Sequence, residues 1–150
     1  MALTNNSPNT IMLDVSSCSK SLEGIVSAGE TIIPGEVVQY LASAGTIERY
    51  HGVTLNLAAL LIAVENTAQG LGVDDAYTAG QRIYFRHMRP GDLFLGRMTG
   101  IAYNVGATVG PEADTGLFTV SISGFNDAIA IVAKTDALTA SGRLVQLMAK

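Results

Sequence analysis

The stretch Arg82-Ile83-Tyr84-Phe85-Arg86-His87-Met88-Arg89-Pro90-Gly91-Asp92-Leu93-Phe94-Leu95 decides the fold class. Arg82, Tyr84 and Arg86 alternate with Ile83, Phe85 and His87, and a period of two places the sets on opposite faces of a β-strand. Arg89-Pro90-Gly91-Asp92 then stops that strand. Proline pre-sets φ for the first central turn position, and glycine supplies the positive φ that a type II turn needs at the second. Leu93-Phe94-Leu95 begins the next strand.

The same unit of turn and strand recurs at Pro34-Gly35-Glu36-Val37-Val38, Ala79-Gly80-Gln81-Arg82-Ile83 and Val105-Gly106-Ala107-Thr108-Val109. Such spacing predicts an all-β protein, a compact barrel or sandwich of seven to nine strands with mostly short loops. Further strands are expected at 37–41, 47–50, 117–122, 128–133 and 144–148, with a turn over 42–46. Residues 55–68 are ambiguous. Leu57, Leu60, Leu61 and Val64 have helical spacing, but the apolar run is continuous and confined by Gly52 and Gly70, so a buried strand over 60–65 is preferred to a helix.

With 150 residues, the chain fits one domain. Residues 1–20, rich in Asn, Ser and Thr, read as an extended N-terminal arm carrying one apolar patch, Ile11-Met12-Leu13; a frayed terminus is the other reading. Residues 21–150 form the single β domain. Charged residues make up only 15% against about 25% in an average soluble protein. Hydrophobic residues make up 48%, and the mean hydropathy is +0.33. So little charge leaves apolar surface exposed on a monomer, and association with other copies or another protein is expected. Ile11, Met12 and Leu13 are candidate contacts for that association.

Net charge is −4 and the pI is about 5.0, which argues against direct nucleic-acid binding, since phosphate recognition needs a basic footprint. The longest apolar run, 57–64, is too short for a membrane-spanning helix, and the N-terminus lacks the pattern of a secretory signal. Cys18 is the single cysteine, so no intrachain disulfide forms.

Motifs for chemistry are weak. His51 and His87 have no partner at metal-ligand spacing, Cys18 has no Cys-x-x-Cys context, and Ser121 and Ser123 lie in strand-like alternation rather than in a nucleophile elbow. The chain is therefore read as a non-enzyme without cofactor or metal. Asp74-Asp75 with Glu65 offers hard oxygens for calcium, but a local turn role is preferred because the remaining ligand positions are missing. Arg82, Arg86, Arg89 and Arg97 fall within sixteen positions. They form either a contact patch, for which Arg82, Arg86 and Arg89 are the candidates, or a solvated strand face.

The ordered motifs Leu60-Leu61-Ile62-Ala63-Val64-Glu65-Asn66, Gln69-Gly70-Leu71-Gly72-Val73-Asp74-Asp75-Ala76-Tyr77, Ala79-Gly80-Gln81 and Arg89-Pro90-Gly91-Asp92 resemble a segment of the capsid decoration, or cement, proteins of tailed bacteriophages. The resemblance covers about a quarter of the chain. It implies a virion protein made in the host cytoplasm, commonly a homotrimer, bound to the outside of the capsid. Its partner would be the major capsid protein, and its work to bridge shell subunits. Other phage structural roles, in the tail or shell, and a small-molecule-binding barrel remain alternatives.

Overall fold

In a computed structural model, the described residues are 10–14, 21–52, 60–100, 103–120, 129–134 and 141–150. They contain thirteen strands and one short 3-10 turn at Thr67–Gln69. The strands are β1 Met12–Asp14, β2 Ser21–Ile25, β3 Thr31–Ile32, β4 Val37–Leu41, β5 Thr46–Arg49, β6 Leu60–Val64 and β7 Tyr77–Thr78. They continue as β8 Arg82–Met88, β9 Leu93–Met98, β10 Thr108–Pro111, β11 Phe118–Val120, β12 Ala130–Val132 and β13 Arg143–Ala149. The protein is all-β, as the turn spacing predicts. The strand count exceeds seven to nine because connections expected to be plain loops also pair, as in the two-residue strands β3 and β7.

Five strands close into a barrel in the order β9-β11-β10-β12-β13, with β13 returning to pair antiparallel with β9. The β9–β11 seam is parallel and joins Met98 to Phe118. Closure pairs β9 with strands on both sides, which covers backbone groups that an edge strand would offer to another chain. The inward side of β9 needs a small residue at Gly96, where an added Cβ would lie 2.5 Å from Leu147 Cδ1 and 2.8 Å from the Phe118 ring.

The second sheet has the order β2-β8-β6-β4-β5 and curls until its edges meet. A single bridge pairs Val26 with Ile47, and the Ser27 amide donates to the Ile47 carbonyl at 2.8 Å. Strand β6 is buried along its whole length because it is covered on both sides. Leu60, Ile62 and Val64 enter the core shared with the barrel, while Leu61 and Ala63 enter the core enclosed by the second sheet. That two-sided burial explains the continuous apolar run and the outcome of the 55–68 ambiguity: a strand at 60–64, with 55–59 outside the described residues. Full burial of a side chain such as Ile62 contributes about 1.5–3 kcal/mol.

All four glycines of the repeated turn have the positive φ expected of them: Gly35 at 94°, Gly80 at 81°, Gly91 at 92° and Gly106 at 84°. Gly35 is constrained twice, since an added Cβ would also lie 2.8 Å from Leu144 Cδ2 and 3.2 Å from the Leu95 carbonyl oxygen.

The arm requires a correction. Ile11 is fully buried in the shared core, its amide donates to Glu65 Oε2 at 3.0 Å, and its carbonyl accepts from the Leu95 amide at 2.8 Å. Strand β1 pairs with β9 through Met12 and Phe94. The apolar patch is therefore not homeless within its own chain: Ile11 is buried and Met12 packs partly against the core, while Leu13, where the β1–β9 register shifts between Met12 and Asp14, is exposed.

Candidate functional site

The expected basic patch divides when the side chains are placed. Arg82, Tyr84 and Arg86 share one face of β8, opposite Ile25, Glu23 and Ser21 of β2. Arg82 is exposed and makes a loose ion pair with Glu23 at 3.5 Å. Arg89 is also exposed, in the Pro90-Gly91 turn, where its amide donates to Asp92 Oδ2 at 2.8 Å. Arg86 lines a cavity of about 270 Å³ whose wall includes Met12, Ser21, Val64, Glu65 and Tyr84. Met12, from the contact patch at 11–13, and Arg86, from the basic one, thus meet at one cleft, between β1 and the second sheet.

Arg97 does not belong to an outward patch. It is 8% exposed. Its Nε donates to the Pro34 carbonyl at 2.8 Å, Nη1 to Gly142 at 2.7 Å, and Nη2 to Val73 at 2.7 Å and to Asp74 Oδ1 at 2.8 Å. Its amide also donates to the Gly35 carbonyl at 3.0 Å. One barrel side chain thereby satisfies three carbonyls in separate segments, and the planar guanidinium fork suits that task.

Next to it, Glu36 is buried and accepts from the Ile33 amide at 2.9 Å. Burial pushes its carboxyl up to about 7, against weaker lowering by that hydrogen bond and by the charges of Arg49 and Arg97. Asp75 accepts from the Gly72 amide at 2.6 Å, so Asp74 and Asp75 act in local structure and in the Arg97 contact. Among the described residues no group of three or more His, Cys, Asp or Glu side chains is arranged to hold a metal ion.

His51 sits where the β10–β11 turn meets the second sheet. Nδ1 lies 3.0 Å from Asp114 Oδ1, and Nε2 lies 3.2 Å from Glu30 Oε1 and 4.0 Å from Glu48 Oε2. The Asp114 hydrogen bond raises the imidazole pKa above its ordinary value; partial burial opposes this, and Glu30 and Glu48 reinforce it. Glu30 is held below the usual carboxylate range by hydrogen bonds from Arg49 and by its charge, although burial acts the other way. Sequence reading missed Glu30, Glu36 and Asp114. Contacts spanning 21 and 63 positions have no local signature. Cys18, Ser121 and Ser123 lie outside the described residues.

The fold so defined is a closed five-stranded barrel joined to a curled five-stranded sheet, with polar ties such as that of Arg97 to Pro34 between them. No protein-family model and no curated protein matches the chain. Among solved structures, the fold is similar to the crystal structure of the head fiber gp8.5 N base in bacteriophage phi29, with a TM-score of 0.55 and 11% sequence identity. The likeness covers 88% of this chain and 94% of that one.

Proposed function

We propose that this chain is a structural protein of a bacteriophage virion, fixed on the outer surface of the head as a decoration protein that bridges shell subunits. The observation that carries this reading is the fold similarity to a phage head-fiber base over nearly the full length of both chains. The motif resemblance to decoration proteins at 60–92 points to the same compartment. Under this reading the protein is not an enzyme and needs no cofactor. Its partners are the major capsid protein and other copies of itself in a homotrimer.

Multivalency supports this reading. Modest contacts repeated around a symmetry axis are hard to lose together, and a ligand that binds only assembled shell stabilises that state by mass action. The candidate contacts are Leu13 and Met12 at the arm, and Arg82, Arg86 and Arg89 on and after β8; Ile11 supports the arm from within the core. Co-sedimentation of the purified chain with empty capsids tests the proposal, together with light scattering of the free protein. Binding in fixed ratio and a mass three times 15.6 kDa are expected. No co-sedimentation with intact shells would refute the decoration role, and a monomeric mass would refute the trimer.

A further inference from the structure

We infer that His51 is a proton-operated latch between the β10–β11 turn and the second sheet. Both ring nitrogens face carboxylates, Nδ1 toward Asp114 at 3.0 Å and Nε2 toward Glu30 at 3.2 Å. A neutral imidazole has one N–H and can donate to only one of them, leaving its lone pair against the other; the imidazolium donates to both. Protonation therefore joins Asp114, on the turn, through one side chain to Glu30, which lies in the β2–β3 connection and is held to Arg49 of β5 in the second sheet. His51 remains about 30% exposed on its side chain, so protons reach it from solvent.

The charged groups near His51 among the described residues are mostly acidic. Glu48 adds a third carboxylate at 4.0 Å. Arg49 is the opposing charge, but its Nε and amide are committed to the second oxygen of Glu30, Oε2, at 3.2 and 3.3 Å. The surplus is acidic, which favours the charged ring.

Asp114 gives a second, independent sign that the turn is held. Its φ is +65°, the one positive value among the described non-glycine residues. Aspartate tolerates this conformation better than most residues, yet it persists where contacts fix it. Two backbone bonds keep the turn attached when the latch is open, from the Asp114 amide to the Tyr50 carbonyl at 3.0 Å and from the Val37 amide to the Gly116 carbonyl at 2.8 Å. Opening is consequently local. With a folded-state pKa above the unfolded one, the tie is fully present below the ordinary histidine value and is lost as pH rises through the raised value.

The full-length chain is tested by NMR titration of the His51 ring and by hydrogen exchange at the Asp114 and Val37 amides, corrected for intrinsic rates, between about pH 5.5 and about pH 8. Protection at these amides is expected to fall by about threefold or more over that range in the parent protein, and to stay flat in His51→Gln. Asp114→Asn should lower the titration midpoint of His51. Equal pH dependence in the parent and His51→Gln proteins would overturn the latch, as would a His51 midpoint unmoved by Asp114→Asn.

Discussion

Arg97 on β9 donates through Nε to the carbonyl oxygen of Pro34, 2.8 Å away and 63 residues earlier in the chain. This bond joins the closed barrel to the first Pro-Gly turn of the second sheet, and the same guanidinium also reaches Gly142 and Val73. Replacing Arg97 by Met keeps much of the aliphatic stem but leaves these carbonyls without their donor. A loss of about 2–4 kcal/mol is expected from buried acceptors left unpaired, read as a shift of the urea midpoint. Arg82→Ala, which removes an exposed and loose pair, should change stability by less than about 0.5 kcal/mol. Equal effects of the two changes would contradict the buried role.

The turn glycines are expected to differ in sensitivity. Gly80 and Gly91 have positive φ but open space at the Cβ position, so valine there meets backbone strain alone, about 1–3 kcal/mol. Gly35→Val adds a collision with Leu144 and the Leu95 carbonyl and should be the most damaging of the three. Thermal denaturation of the variants ranks them directly.

Glu36 makes stability depend on pH in a stated direction. Its folded-state carboxyl titrates near 7 against an ordinary value of 4.5, so the folded state binds its proton more tightly than the unfolded state. Stability contributed by this site is greatest below 4.5 and is lost as pH rises from there through about 7, by roughly 3 kcal/mol for a shift of this size. Glu36→Gln, which retains an oxygen for the Ile33 amide, should remove that component. The measurement is the difference between parent and variant unfolding free energies across the range. A pH-independent difference would show that Glu36 is not protonated on burial.

The segment at 11–13 holds one buried and one exposed apolar side chain. Ile11→Ala should cost about 2–4 kcal/mol, as expected for truncation of a fully buried aliphatic side chain. Deletion of residues 2–13 removes Ile11 and part of β1, so the truncated chain should also be less stable. Leu13 is 44% exposed, and Leu13→Asp should leave the unfolding midpoint almost unchanged. If Leu13 contacts the shell, that same variant loses capsid co-sedimentation while retaining the parent melting curve. Undiminished binding would remove Leu13 from the contact surface.

The turns and several strands were legible in the chain because their causes are local. Proline and glycine restrict or extend φ within two residues, and a period of two places side chains on faces without reference to distant partners. The apolar run at 60–64 left helix and strand both open, because burial on both faces erases the alternation that marks a strand. Alternation could not tell which face of β9 would receive Arg97, since both of its faces are covered. Nor could composition show that Ile11, in a polar arm, would enter the core.

By itself, the sequence determined an all-β chain and four glycine corners. Tertiary structure alone decided that β13 closes a barrel on β9, that Arg97 is buried against the Pro34 turn of the second sheet, and that Asp114 meets His51 across 63 positions. Those outcomes depend on strand register and sheet curvature, which emerge only when non-local backbone hydrogen bonds and core packing are satisfied together.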